Sequence, residues 1–462
     1  MGTAAEALSH FAVQLRYEDL SKEVVHKAKQ MVLDTLGCAL GGYLSEPSRI
    51  TRSVLRDLGG KPESTIIGTG EKTSSPNATL ANCVMVRYLD FMDVYFNLDP
   101  CHPSENIPTA LAVGEREHAS GKDFLPAVII GFEIQQRFAD AIPCHRLGWH
   151  HVTIAGYTTP AVAGKLLKLS EEQMVHAIGI SGSHNHALAG LLGEWDHAEI
   201  SIGELDRAEI SMMKAIGYGF GSQSGITGAL LAQKGFTGPS TIIESFNRVV
   251  ANNMDLTPII EGAKTMRILD TCIKPFASEA YTHSPLDALF NLVKKHGIRA
   301  DDVEEIHLRT HEFVTVLVGP SAYKPQSRET ADHSLPYCLA IALIEGDLGP
   351  EQFQREQWKD PQVLDLMSRV KVTVDPDLEK LYPPARPADL EIRTKKGERV
   401  RTRVDYPKGD SHNPMTDEEV QAKFRKLAAP LMEESQIRRI IDAVDNLEGV
   451  DDVGKLIELL VV

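Results

Sequence analysis

Between Arg87 and Pro108 the sequence reads RYLDFMDVYFNLDPCHPSENIP. This places Asp90, Asp93, Asp99 and His102 within a few helical turns of one another, ahead of a break at Pro103. Carboxylates and an imidazole this close, at the mouth of a helix, are the groups that move a proton to and from a carbon acid. The competing reading is a solvated acidic loop between two helices. A second candidate is Gly148-Trp149-His150-His151, followed by VTIAGYTTPAVAG. Adjacent residues in a helix or strand point in different directions, so at most one of the two imidazoles is expected to serve a site. Lys214 stands alone in SMMKAIGYGFGSQSG, where it must either snorkel or meet an anion. If buried, it offers a cation to a carboxylate. His283 in IKPFASEAYTHSPLDAL precedes a helix start whose amide groups favour an anion, and Lys274 is close in sequence.

Two further tracts are ambiguous. GSHNHALAGLLGEWDHAEI carries His184, His186, Glu194, Asp196 and His197, a metal-ligand set in composition whose spacing matches no zinc signature. A solvated loop over a pocket is the expectation there. RETADHSLPYCLAIAL gives His333 and Tyr337 ahead of an apolar helix, with no assigned role from spacing alone.

The elements that must position these groups are mostly helices. Ser21 caps a helix whose face is marked by Val24, Ala28, Met31, Thr35 and Ala39 and which Gly41 and Gly42 stop. Helices are expected from Pro76 to about residue 91, from Pro108 to about Gly121, from Phe124 to Ala141, and over 154–169 and 211–233. The last of these holds Gly217, Gly219, Gly221, Gly225 and Gly228. Each glycine weakens a helix by roughly 1 kcal/mol relative to alanine, so the run implies close approach of neighbouring backbones. After about residue 265 the texture changes. A helix from Ser284-Pro285 to Lys295 is closed by Gly297, and strands alternate over 304–313, 369–375, 388–397 and 398–407, the last two as a hairpin turning at Lys396-Gly397. From Thr416 the chain returns to helix, with two more helices over 434–446 and 451–460. The fold class is therefore mainly α with a smaller α+β domain: a large helical domain of residues 1–265 and 411–462, interrupted by an α+β domain of residues 266–410.

Bulk properties narrow the function. At 462 residues the chain exceeds one small core, and its 42% hydrophobic and 24% charged content is that of an ordinary soluble protein. A formal net charge of −16 argues against nucleic acid and anionic membrane as partners, but leaves room for a local cationic pocket. No apolar run reaches spanning length and the N-terminus lacks a basic segment followed by an apolar one, so the expectation is a cytoplasmic protein or, in a eukaryote, an organellar one with its leader removed. The six cysteines (Cys38, Cys83, Cys101, Cys144, Cys272 and Cys338) have no clip spacing and read as free thiols.

The order and spacing of LDTLGCALGG, ANCVMVRYLDFMD, HPSENIPTALA, GWHHVT, SMMKAIGYGFGSQSG, IKPFASEAYTH and ADHSLPYCLAIAL resemble the MmgE/PrpD family of 2-methylcitrate dehydratases and cis-aconitate decarboxylases over nearly the whole chain. The resemblance implies a homodimer whose active site lies between the two domains and needs no metal or organic cofactor. It assigns catalytic roles to Asp90, His102, His150 or His151, Lys214 and His283, and Ser104, Lys274, His333 and Tyr337 in the same segments are the expected substrate contacts. It implies a lyase acting on a small di- or tricarboxylate. Dehydration of 2-methylcitrate leads; cis-aconitate decarboxylation or an iminodisuccinate-type epimerisation are the alternatives, and a non-catalytic carboxylate-binding protein is the rival of another class. Three departures bear on the substrate. Asp90-Phe91-Met92-Asp93 stands where many members carry DYDD or DFDD, Ser278-Glu279-Ala280 where many carry Ser-Cys-Arg, and the acidic, histidine-bearing stretch 194–209 is longer than usual.

Overall fold

The computed structural model describes residues 2–188 and 209–462. Glu194, Asp196 and His197 therefore lie outside the described residues. The first part of the chain is helical: α1 (Ala4–Gln14), α2 (Lys22–Gly42), α3 (Glu46–Leu58), α4 (Ser75–Tyr88), α5 (Ile107–Arg116), α6 (Gly121–Ala141), α7 (Ala155–Leu166), α8 (Glu171–Gly182), α9 (Met213–Gln233), α10 (Ile242–Val249) and α11 (Thr257–Glu261). Local chemistry starts these helices where the sequence suggests. The Ser21 hydroxyl accepts from the Val24 amide, and Thr3 with Glu6, Ser120 with Asp123 and Ser170 with Gln173 form reciprocal capping boxes. One difference is that α2 runs on through Gly41 to Gly42, because a neighbouring helix packs on it there: a side chain at Gly42 would strike the Met85 carbonyl of α4.

The glycine-rich α9 lies against α4 and α7. A Cβ on Gly221 would stand 2.5 Å from Ala155 of α7, one on Gly219 would stand 2.8 Å from Leu80 of α4, and one on Gly225 would land on the Thr159 hydroxyl. The expected close approach is thus present, and it fixes the N-terminal end of α9, where Lys214 sits.

Two short ladders tie distant segments together. β1 (Ser64–Thr65) pairs antiparallel with β2 (Lys72–Thr73), and β3 (Asp93–Val94) pairs antiparallel with β4 (Cys272–Ile273). The second brings the segment after α4 beside Lys274. Beyond it come α12 (His283–His296), β5 (Val303–Thr310), α13 (Arg328–Ala331), α14 (Leu335–Glu345), α15 (Pro361–Met367), β6 (Val370–Val374), α16 (Pro376–Glu379), β7 (Ala388–Thr394) and β8 (Arg399–Val404). The sheet order is β6-β5-β7-β8, with β5–β6 parallel and the other pairs antiparallel. The β7–β8 turn needs positive φ, and Gly397 supplies it at +86°. α12 covers β7 and β8 and packs on α14.

The chain ends with α17 (Asp417–Ala428), α18 (Glu434–Asp445) and α19 (Gly454–Glu458). α17 packs on α2, with Phe424 over Gly37. From α17 the buried Lys423 pairs with Asp34 of α2 at 2.6 Å and donates to the carbonyls of Phe91 (2.5 Å) and Lys274 (2.9 Å). Among the described residues no helix is long and apolar enough to cross a membrane.

Candidate active site

α4 ends at Tyr88, and two residues later Asp90 takes a left-handed backbone (φ +49°). Aspartate tolerates this conformation better than most residues, at a cost of order 1 kcal/mol. The turn aims the carboxylate into a buried cluster of cations. Lys214 reaches Oδ2 at 3.2 Å, Lys274 reaches Oδ1 at 2.9 Å, and Arg87 reaches Oδ1 at 2.5 Å. Burial alone would raise the pKa of Asp90, but Lys214, Lys274 and Arg87 outweigh it and hold the carboxyl well below its usual range. The Arg87–Pro108 stretch is accordingly no solvated loop: Asp90, Asp93, Asp99 and His102 are all buried.

Lys274 is likewise no surface residue. Its ammonium donates to Asp90 Oδ1, to the Asp90 carbonyl (3.0 Å) and to the Ser278 carbonyl (3.1 Å). An ammonium has three protons, so all of its donors are taken. Lys214 bridges Asp90 to Asp332, 3.0 Å from Oδ1. Asp332 also receives His333 Nδ1 at 2.5 Å and Arg328 at 3.0 Å. A carboxylate only accepts, so the shorter contact favours a proton on His333 Nδ1, with the Lys214 ammonium 3.2 Å from the same nitrogen.

A cavity adjoins this cluster. Arg87, Asp90, Lys274, Glu279 and His333 line it, together with His102, His145, His150 and His151. Val94, Phe96, Phe313, Val316 and Leu317 form an apolar wall. His102 Nδ1 sits 2.6 Å from the Asp93 carbonyl, which must accept, so Nε2 is the basic nitrogen. Burial, then Arg87 and Lys274, push the His102 pKa well below its usual value and keep the ring neutral. His151 is also held neutral, by burial and then by the neighbouring imidazoles His150, His102 and His145. The His102 and His151 ring centroids are 5.2 Å apart, and those of His150 and His151 are 4.1 Å apart. Both adjacent histidines therefore reach the cavity, against the expectation that at most one would. They sit in a 3₁₀ turn with its N-cap, not in a regular helix or strand, and there successive side chains can converge. His151 Nε2 lies 3.4 Å from Glu105, whose carboxyl is pushed up to about 8 by burial, with Arg87 opposing.

Three assigned residues fall elsewhere. His283 opens α12 as its first residue, following Thr282, and faces a smaller adjoining cavity beside Cys272 and Arg386. Its Nε2 is 3.3 Å from the Ser278 carbonyl, and its ring packs edge-on against Phe276. Ser104 is fully buried and brackets Asp93, its hydroxyl donating to Oδ1 at 2.5 Å and its amide to Oδ2 at 3.0 Å. Tyr337 points away from the cavity: its hydroxyl donates to the Gln352 carbonyl and its ring packs on Phe353 and Trp358. The substrate contacts assigned to Ser104 and Tyr337 are thus replaced by structural bonds. Of the second histidine tract, His184 bonds Ser224 and His186 stacks on Phe246.

Sequence reasoning passed over Arg87, Glu105, His145 and Asp332. His145 pairs through Nδ1 with Asp99 at 3.0 Å, a partner inside the motif already singled out. For Asp332 the sequence signal is the Asp-His dipeptide 332–333. Among the described residues two groups bring three potential metal-ligand atoms within 4.8 Å: His145, His150 and His151, and Asp90, Asp332 and His333. The second group already surrounds the Lys214 ammonium. All six cysteines are free and buried.

Comparison with known proteins gives a consistent picture. The MmgE/PrpD N-terminal domain matches residues 6–257 and the MmgE/PrpD C-terminal domain residues 276–449. A cis-aconitate decarboxylase of Aspergillus terreus is 25% identical over 491 aligned positions, covering 99% of this chain and 96% of that protein. The Homo sapiens cis-aconitate decarboxylase is 26% identical, covering 96% of this chain and 92% of its own length. The mitochondrial 2-methylcitrate dehydratase of Yarrowia lipolytica is 24% identical, covering 96% and 88%.

Proposed function

The chain belongs to the MmgE/PrpD family, and we propose that it is a lyase that acts on a small polycarboxylate by proton transfer, using its own side chains. The observation that carries this reading is the His102 tautomer. Its Nδ1 proton is committed to a backbone carbonyl, and its neutral Nε2 is left basic in a cavity bordered by buried cations. A carbon acid next to a carboxylate loses its proton only if the resulting negative charge is stabilised, and fixed cations in a buried site do this at little reorganisation cost. Lys214, Lys274 and Arg87 supply that field. Asp90 gathers the three around one buried carboxylate. His333, oriented by Asp332 as His102 is by a carbonyl, is the second acid/base group, and His151 backed by Glu105 is the third.

In decarboxylation the bond between carbon and a carboxylate breaks. The electron pair stays on the carbon skeleton, an imidazole that has taken up a proton from solvent as the acid binds gives it to that carbon, and carbon dioxide leaves. In dehydration an imidazole takes the proton alpha to a carboxylate while an acid protonates the departing hydroxyl, and water leaves. The apolar wall of Phe96, Phe313, Val316 and Leu317 favours decarboxylation, because a leaving carboxylate becomes apolar and gains from a desolvated surface. Dehydration of 2-methylcitrate is the second reading, favoured by separate imidazoles able to act as base and acid. The test is to incubate the purified protein with cis-aconitate, 2-methylcitrate and iminodisuccinate, and to follow carbon dioxide release, the unsaturated product and epimerisation. Turnover of none of the three would end the reading. Binding of an acid without conversion would favour a non-catalytic carboxylate-binding protein.

A further inference from the structure

The cavity has an unusual donor inventory. Lys274, the obvious partner for an organic acid, has no proton left to give, because Asp90 and two carbonyls accept all three. Lys214 is engaged by Asp90 and Asp332. The two ammoniums therefore act through their field, and further hydrogen bonds to a bound carboxylate come from other groups on the wall. One of these is itself a carboxyl. Glu279 precedes the 3₁₀ turn Ala280–Thr282, its amide donating to the Asp332 carbonyl at 2.9 Å. Its Oε2 accepts from the Tyr281 amide at 2.7 Å. Its other oxygen takes no hydrogen bond from the described residues and is not sealed in the protein interior; the residue lines the cavity.

We propose that Glu279 holds a proton on the oxygen that faces the cavity and donates it in a hydrogen bond to a carboxylate of the substrate. The proposal rests on the reading of the site as a polycarboxylate pocket. An ionised Glu279 would place two negative groups in contact; a protonated one turns the repulsion into a short, charge-assisted bond. The surroundings allow it. Burial raises the Glu279 pKa, with His333 and Lys274 opposing and Asp90 assisting. Those three are the charged or titratable groups that face it most directly. Asp332 lies behind its amide, Tyr281 follows it in its own turn, and Arg87 with the His102, His145, His150 and His151 wall completes the cavity. The proton on Glu279 makes acid binding fall as pH rises, independently of any titration of the imidazoles.

The experiment is equilibrium binding of tricarballylate, a saturated tricarboxylate without a reactive double bond or hydroxyl, together with turnover of cis-aconitate, for wild type and Glu279→Gln between pH 6 and 8.5. Glutamine keeps the shape and a permanent donor but has no proton to lose. The expected result is a wild-type dissociation constant that rises about tenfold or more across the range, tenfold per unit once Glu279 ionises. Glu279→Gln stays within about threefold over the same range. Calorimetry of wild type in two buffers of different ionisation enthalpy gives an independent reading that does not rely on the variant folding. At a pH where wild-type affinity is falling, net proton uptake on binding supports the proposal, and no uptake there overturns it. Equal pH dependence in wild type and Glu279→Gln also overturns it. If that happens while wild type still turns over an acid, only the role of Glu279 is lost. If wild type neither binds nor converts any acid, both readings fall.

Discussion

The Lys274 ammonium clasps Asp90 twice, at the side-chain Oδ1 (2.9 Å) and at the main-chain carbonyl (3.0 Å), across 184 residues of sequence. The same carboxylate holds Lys214 on its other oxygen. This is the centre of the site's electrostatics, because one buried anion balances cations that would otherwise repel each other.

Asp90→Asn should therefore be costly to the fold as well as to activity. Removing one partner of a buried ion pair leaves uncompensated charge, at about 3–5 kcal/mol. Adding Lys214→Met should return part of the loss, since it removes one of the stranded ammoniums. Urea unfolding of wild type, the single variant and the double variant measures both effects. A single variant as stable as wild type would contradict this account.

His102→Gln should separate chemistry from folding. Glutamine preserves a polar side chain near the Asp93 carbonyl but has no basic nitrogen. The expected fall in kcat is about 10²–10⁴-fold, with an unchanged circular dichroism spectrum. A loss smaller than tenfold would move the proton-transfer role to another imidazole of the cavity.

Stability should carry two opposite pH signatures. Unfolded, His102 and His151 take up protons near pH 6.5. Folded, burial comes first in holding both neutral, then Arg87 and Lys274 for His102 and the neighbouring imidazoles for His151. The unfolded state thus binds more protons in acid, and stability is lost as pH falls below about 6.5. Glu105 runs the other way, with a folded pKa of about 8 against an ordinary value near 4.5. Its contribution is full below the ordinary value and is lost as pH rises toward 8. Glu105→Gln should then gain stability relative to wild type between pH 5 and pH 8, which denaturant titrations at four pH values would show.

Gly225→Ala tests the close approach that sets Lys214 in place. The added methyl would land on the Thr159 hydroxyl, so α9 and α7 must separate. Overpacking of this kind costs about 1–3 kcal/mol. Thermal unfolding should show it, and the same substitution at Gly235, where a Cβ meets nothing but the backbone has φ +91°, distinguishes crowding from backbone strain.

Much of this was legible in the chain, for identifiable reasons. Helix starts carry their own chemistry at Ser21 and Thr416, and a run of five glycines in an apolar helix has few explanations besides close packing, whereas the cap at Ser120, ahead of the expected start at Phe124, was not read. Asp90 and His102 stand in one local motif, so their shared destination could be read from spacing. Arg87 and Glu105 could not. A buried arginine three residues before an aspartate looks, in sequence, like any exposed helical pair, and only tertiary burial separates them. Tyr337 failed for the converse reason. An aromatic at the start of an apolar helix serves a core as readily as a pocket, and here Gln352, Phe353 and Trp358 claim it. The adjacent pair His150-His151 shows a third limit, since the direction of each ring depends on whether the backbone there is regular.

Lys423 gives the assembly a temporal order. It comes 332 residues after Phe91 and 149 after Lys274, yet its side chain secures Asp34, the carbonyl next to Asp90 and the carbonyl of Lys274 in one stroke. During synthesis on the ribosome, the loops bearing Asp90 and Lys274 are made long before their latch emerges. A nascent chain stopped short of residue 423 would hold the ingredients of the chemistry without the brace that sets them, so competence waits for α17.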